Sequence, residues 1–480
     1  MVGDIVSWID RNVTDPSVHQ ALEEYDELIK KESGKEYLLN TTRLWRDIGR
    51  DIRSAPTRLF VESDLEKIIR NMMPAAVLGT VMHYGEKRKD KKTDYIEHPA
   101  GVARGAVMAC LYDEDALPDF LVKIARRAGK NSNYRKGLLK IARIESKLCP
   151  IHDTSESWKK KNNETREAGV AHVMERYAKL NPDDPDMAIL QELQHHITPT
   201  GGHFFRDIDE IVGIESKRSK AYLYIAKAHD RIYNTQDNEY LFDLDNRIDN
   251  LIKNLYVANT IKQFLIDNDP RSNVRQLPFG IKLPFDIPFS SPDVPVWYFP
   301  LLQSYNDLVL TSEIECRHIA SDVLPKMSKY AATLNSPRGR KQGLSGRKFK
   351  QMMGSLMSEV DDILGGKNSP TYLQVTDDRR TAEGRVREMQ QLTGVVLSNS
   401  KMPAEERLKK VLYDGVYSVF GQLVTTPFDS SSSEARETVS PDFKMAHLVI
   451  NYSDAKFLLN TFRHLRYETG EYIRNLDKAA

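Results

Sequence analysis

Apolar residues recur three and four positions apart along most of this chain, and strict alternation of apolar and polar residues is scarce. That spacing lines apolar side chains along one face of an α-helix, whereas a half-buried strand needs a period of two. The pattern therefore predicts an all-α fold. It is visible in Leu22, Tyr25, Leu28 and Ile29, then in Leu44, Ile48 and Ile52. It returns in Leu65, Ile68 and Ile69, in Val77, Leu78, Val81 and Met82, and in Val102, Ala106, Val107, Cys110 and Leu111. Ser63 and Glu66 have capping-box spacing. Pro74 predicts a helix boundary, because proline lacks an N–H and restricts the residue before it. Two short helical patterns follow, Phe120 to Ala128 and Leu138 to Leu148. A polar stretch from Trp158 to Glu167 leads to a helix near Ala171 to Leu180. The run Lys220 to Asp230 reads as a buried helix ending in a polar site.

One segment breaks the pattern. Seven prolines fall between positions 270 and 300, interleaved with Phe279, Phe285, Phe289, Trp297, Tyr298 and Phe299. We read it as an extended connector that packs across a surface. A chain of 480 residues is also too long for one compact core. The expected organisation is a helical extension at 1–60, a helical domain at 61–268, the connector at 269–300 and a helical region at 301–480. Helices are expected in that last region from Ser345, from Ala404 to about Leu423, and over 441–451 and 453–468. Its basic, glycine-containing stretch, Ser336 to Lys350, has a composition suited to phosphate or RNA, and is read in preference as a charged loop before a helix.

Charge and cysteine usage narrow the function classes. The net charge of +1 gives no whole-chain argument for nucleic-acid or anionic-membrane binding. Cys110, Cys149 and Cys316 are widely spaced and form no CxxC pair, so no disulfide framework or structural zinc site is suggested. The first ten residues have no signal-peptide character, and no window reaches membrane-span length. A cytoplasmic protein is expected, and the sequence leaves oligomerisation open.

The residues with chemistry are His98, the adjacent pair His152 and Asp153, and Asp230. Two imidazoles and two carboxylates suit a divalent ion such as Mn²⁺ or Fe²⁺ and leave positions open for water and substrate. Successive helical side chains lie about 100° apart, so an adjacent His-Asp pair reaches one ion only if the ion sits between their directions. Spacing alone is weak support in a chain with 12 histidines.

The flanking residues add specificity. The segments read His83-Tyr84-Gly85-Glu86-Lys87-Arg88-Lys89, then Tyr95-Ile96-Glu97-His98-Pro99, then His152-Asp153-Thr154-Ser155-Glu156, then Asp230-Arg231-Ile232-Tyr233-Asn234. Together they resemble the hydrolase domain of RelA/SpoT-type enzymes, which degrade the alarmones ppGpp and pppGpp. That family carries an Arg-Lys step before an aliphatic-His-Pro, then His-Asp-x-x-Glu-Asp, then a helix ending Ala-Asp-Arg-Leu-His-Asn. The resemblance covers roughly residues 65–265 and implies an HD-type helical bundle. It implies that His98, His152, Asp153 and Asp230 hold a metal, Mn²⁺ first, with Fe²⁺, Co²⁺ or Mg²⁺ as alternatives. It implies that Glu156, beside Asp153, orients or deprotonates the water held by that metal. It further implies that Arg88 stacks on a base, that Lys89 pairs with phosphate, and that Asn234 hydrogen-bonds substrate. The implied reaction removes the 3′-pyrophosphate from a guanosine nucleotide. Three departures stand out: a longer interval between His98 and His152, Pro150 two residues before His152, and Ser157 where the family has its second acid. Two alternatives stay in view: an HD phosphohydrolase for another nucleotide and, on the ground of Ser157, a catalytically weak nucleotide-binding sensor or scaffold. Two places are open to His83, behind the ligand set or on a helix surface, and the surface is the expected one. His195, His196, His203 and His229 are expected to be structural or exposed.

Overall fold

The computed structural model describes residues 5–55, 60–88, 91–111, 132–200, 204–236, 244–268, 295–334, 455 and 458–471. Among them every named element is helical, as the apolar periodicity predicts. The one β-bridge among the described residues pairs Lys87 with Asp94. The expected helices at Phe120 to Ala128, from Ser345, at Ala404 to Leu423 and over 441–451 lie outside the described residues, as do Lys89 and most of the proline-rich connector.

In chain order the α-helices are α1 Ile5–Asn12, α2 Pro16–Ala21, α3 Tyr25–Lys30, α4 Glu32–Arg53, α5 Glu62–Met82, α6 Glu97–Leu111 and α7 Ser132–Leu148. A 3₁₀ turn, Cys149–Ile151, follows. Then come α8 Thr154–Asn162, α9 Arg166–Leu180, α10 Met187–Ile197, α11 Phe204–Gly213, α12 Lys217–Gln236, α13 Leu244–Asp267 and α14 Tyr298–Leu334. Residues 458–471 are also helical. No described helix is long and apolar enough to cross a membrane. The three cysteines are buried and free.

Several boundaries differ from the sequence expectation. Pro74 lies inside α5 rather than at its edge. An interior proline costs about 3 kcal/mol of helix propensity. Here every residue from Met72 to Met82 is buried, and apolar burial outweighs that cost. The helix starts at Glu62, and its cap is made by the Asp64 carboxylate, which accepts from the Val61 N–H at 3.3 Å, so Ser63 and Glu66 do not form the box. The polar stretch after Trp158 is largely helical. α8 ends where Asn163 adopts a left-handed conformation (φ 53°), and Thr165 then caps α9 by accepting from Ala168 N at 3.2 Å.

The chain divides into two compact units. The first comprises Met1–Leu241, Tyr256–Val309 and Arg466–Ala480, and the second comprises Phe242–Leu255 and Leu310–Leu465. In the first unit, α7 packs against α5 and α6, α6 packs against α12, and the 3₁₀ turn sits on both α5 and α6. Of the N-terminal helices, α4 packs against α5 and α6, α1 against α5, and α2 against α9. Fully buried Trp45 donates from its indole N–H to Thr80 Oγ1 at 3.1 Å, and the Tyr37 hydroxyl donates to the Thr80 carbonyl at 2.8 Å. In the second unit, buried Arg247 pairs with Glu315 at 2.7 Å, and Asn254 donates to Ser312 Oγ at 2.9 Å.

Candidate metal centre

The site lies in the first unit, where three parts of the core meet. His98 is on the first turn of α6, and Pro99 follows it where the missing N–H costs little. His152 and Asp153 do not share a helix interior. His152 ends the 3₁₀ turn and Asp153 is the N-cap residue of α8. Pro150 fits this junction, since its fixed φ suits a tight turn and ends α7 cleanly. Asp230 projects from α12, which continues to Gln236 instead of stopping at the site.

Two glycines allow the close approach. A Cβ on Gly79 would stand 2.4 Å from the Pro150 carbonyl oxygen, so only glycine lets α5 receive the turn that carries His152. A Cβ on Gly101 would stand 2.0 Å from the Tyr233 ring, and this tight fit of α6 on α12 brings His98 to Asp230.

All four residues converge. His98, His152 and Asp230 are buried, and one ligand atom from each lies within 4.8 Å of the others, forming a group that can hold a metal ion. His98 Nε2 is 3.1 Å from Asp230 Oδ1 and 3.5 Å from Asp153 Oδ2, and His152 Nε2 is 3.2 Å from that same Asp153 oxygen.

Hydrogen bonding indicates what the group can accept. His152 Nδ1–H donates to the Cys149 carbonyl at 2.7 Å, which fixes the proton there. Nε2 of the neutral ring is then a lone pair, buried and without a hydrogen-bond partner among the described residues, facing a carboxylate oxygen. Two lone pairs at that distance repel unless a cation or a proton lies between them. Burial lowers the His152 pKa, but Asp153 and Asp230 outweigh it and the net direction is upward. Asp153 is likewise held well below the usual carboxylate range, because His152, His98 and Lys227 overcome the effect of burial. The backing of Nδ1 by a carbonyl is the usual arrangement of a metal-ligating imidazole. His98 differs. Its Nδ1 has no acceptor among the described residues, and burial lowers its pKa.

The surroundings hold the carboxylates. The Tyr95 hydroxyl donates to Asp153 Oδ2 at 2.8 Å. Asn234 Nδ2 donates to Asp230 Oδ1 at 2.6 Å, one turn along α12, and buried Lys227 lies 3.3 Å from Asp230 Oδ2 on the turn before. Arg88 places its guanidinium 5.4 Å from the centre of the Tyr95 ring and donates to Asn234 Oδ1 at 3.4 Å. Glu156 is a quarter exposed and pairs with Lys160 along α8.

Sequence reasoning gave no role to Tyr95, Lys227 or Glu86. Lys227 had a usable signal, since it lies three residues before Asp230 and so shares its helical face. His83 corrects an expectation. It is fully buried at the C-cap of α5 rather than on a surface. Its Nδ1–H donates to Glu86 Oε2 at 2.7 Å, and its ring lies 4.9 Å from that of Tyr95. His229 is structural, as expected. It is buried, it meets Ser304 Oγ at 3.1 Å, and burial pushes its pKa down to about 3. His195 lies 3.2 Å from Arg166 and shares a surface cavity of about 410 Å³ with His196 and Glu192, away from the four-residue group.

No family model, curated protein or solved structure matches this chain in comparisons with each.

Proposed function

We propose that this protein is an HD-type, metal-dependent phosphohydrolase that removes the 3′-pyrophosphate from guanosine nucleotides of the ppGpp class. One observation carries the reading. His98, His152, Asp153 and Asp230, which carry the resemblance in sequence, meet as one group across three separate parts of the core. The lone pair of His152 facing Asp153 fits a divalent cation, with Mn²⁺ the first candidate and Fe²⁺, Co²⁺ or Mg²⁺ the others. Such an ion supplies Lewis acidity toward a phosphoryl oxygen and makes a coordinated water more acidic.

The chain's own residues would then act as follows. Asn234 and Lys227 keep the Asp230 carboxylate in place. Tyr95 does the same for Asp153 while its ring carries the guanidinium of Arg88. A planar cation on an aromatic shelf is suited to stacking with a base or to pairing with phosphate. Lys89 adds charge beside it in sequence. Glu156 supplies a carboxylate next to the group, once it is released from Lys160.

The test is pyrophosphate release from ppGpp, pppGpp and a panel of other nucleotides, with Mn²⁺, Fe²⁺, Co²⁺ and Mg²⁺ in turn. Release from ppGpp that disappears in Asp153→Ala supports the reading. Turnover confined to other nucleotides would instead support an HD hydrolase of different specificity. Nucleotide binding without turnover would support a sensor or scaffold, a reading favoured by Ser157 and by the pairing of Glu156 with Lys160.

A further inference from the structure

Position 157 carries a hydroxyl where the family has its second acid, yet a carboxylate is present beside it. Asp153, Ser157 and Lys161 are spaced four apart from the start of α8 and share one face of it. Asp153 belongs to the metal group. Glu86, from the loop after α5, docks on the other two. Ser157 Oγ donates to Glu86 Oε2 at 3.1 Å, and Lys161 Nζ lies 2.9 Å from Glu86 Oε1. From behind, buried His83 donates to Oε2. The His83 ring packs on Tyr95, whose hydroxyl binds the Asp153 carboxylate. Glu86 is thus tied to Asp153 by two routes, one along α8 and one through His83 and Tyr95.

On the reading that this centre is a phosphohydrolase, we propose that Glu86 is the positioning carboxylate for position 157, holding beside the centre the negative charge that Ser157 lacks. A hydroxyl has one hydrogen to give, and Ser157 gives it to Glu86, which leaves its oxygen as an acceptor for a water molecule. Burial raises the Glu86 pKa, but His83 and then Lys161 outweigh that and bring it down to about 2. The group therefore stays ionised at neutral pH and orients rather than takes a proton.

The experiment compares wild type, Glu86→Gln, Glu86→Gln with Ser157→Asp, and Asp153→Ala as full-length proteins. It measures kcat and KM on ppGpp, and Mn²⁺ affinity by calorimetry. Glu86→Gln is expected to lower kcat by at least about tenfold with KM and Mn²⁺ affinity within about threefold of wild type. Adding Ser157→Asp is expected to restore most of the loss, since the acid returns to the helix itself. An unchanged kcat in Glu86→Gln, a kcat loss that tracks a loss of Mn²⁺ affinity, or failure of the second substitution to rescue would overturn the inference while Asp153→Ala still upholds the hydrolase. Wild type that does not turn over ppGpp would overturn both.

Discussion

Glu145 on α7 gives the sharpest test of the core around this centre. It is completely buried, with Cys149 Sγ donating to its Oε2 at 3.4 Å and its other oxygen unpartnered among the described residues. Burial pushes its pKa from 4.5 up to about 8. The folded chain therefore keeps the proton that the unfolded chain releases near pH 4.5. Below that pH the carboxyl adds no penalty. Between pH 4.5 and 8 stability falls by about 1.4 kcal/mol per pH unit, and above 8 the loss levels off. The accumulated cost at pH 7 is about 3 kcal/mol, an upper figure since water can enter as the group ionises. Glu145→Gln removes the titration and keeps the shape. Denaturant unfolding of both proteins from pH 4 to 9 should give a difference curve that rises through that window in favour of the variant. Any penalty from the extra amide hydrogen shifts the curve without changing its slope. A flat difference curve would refute the reasoning, because it would mean that the carboxyl ionises at the same pH in the folded and unfolded chains.

Mn²⁺ at about 100 times its Kd should stabilise the wild type by roughly 2.7 kcal/mol in thermal unfolding, and this gain should vanish in His152→Ala. Gly79→Ala places a methyl group against the Pro150 carbonyl and should cost about 1–3 kcal/mol in stability while weakening Mn²⁺ binding in calorimetry. Lys147→Met leaves buried Asp184 and Asp186 without the ammonium that lies 2.6 and 2.9 Å from them. Chemical denaturation should show a loss of about 3–5 kcal/mol, and less if Arg143, at 2.6 Å from Asp186, takes up the charge.

The sequence by itself determined the helical character of this protein, because apolar side chains three and four apart can be buried together only on a helix. It also pointed to His98, His152, Asp153 and Asp230, since their flanking residues carry chemistry that chance spacing does not. What it lacked was packing. Pro74 looks like a boundary in one dimension and is interior in three, because burial along α5 outweighs a lost backbone hydrogen bond. His83 looks exposed beside a basic run, yet its partner Glu86 and the Tyr95 ring enclose it. Tertiary structure alone decided that Gly79 and Gly101 let three helices close on one point. It alone decided that the His152 proton sits on Nδ1, and that Glu86 reaches Ser157 across 71 positions of sequence. Those outcomes depend on distances between groups far apart in the chain, which local spacing does not encode. The helices were legible because their signal is local, whereas the charge beside the centre was not, because it comes from another segment.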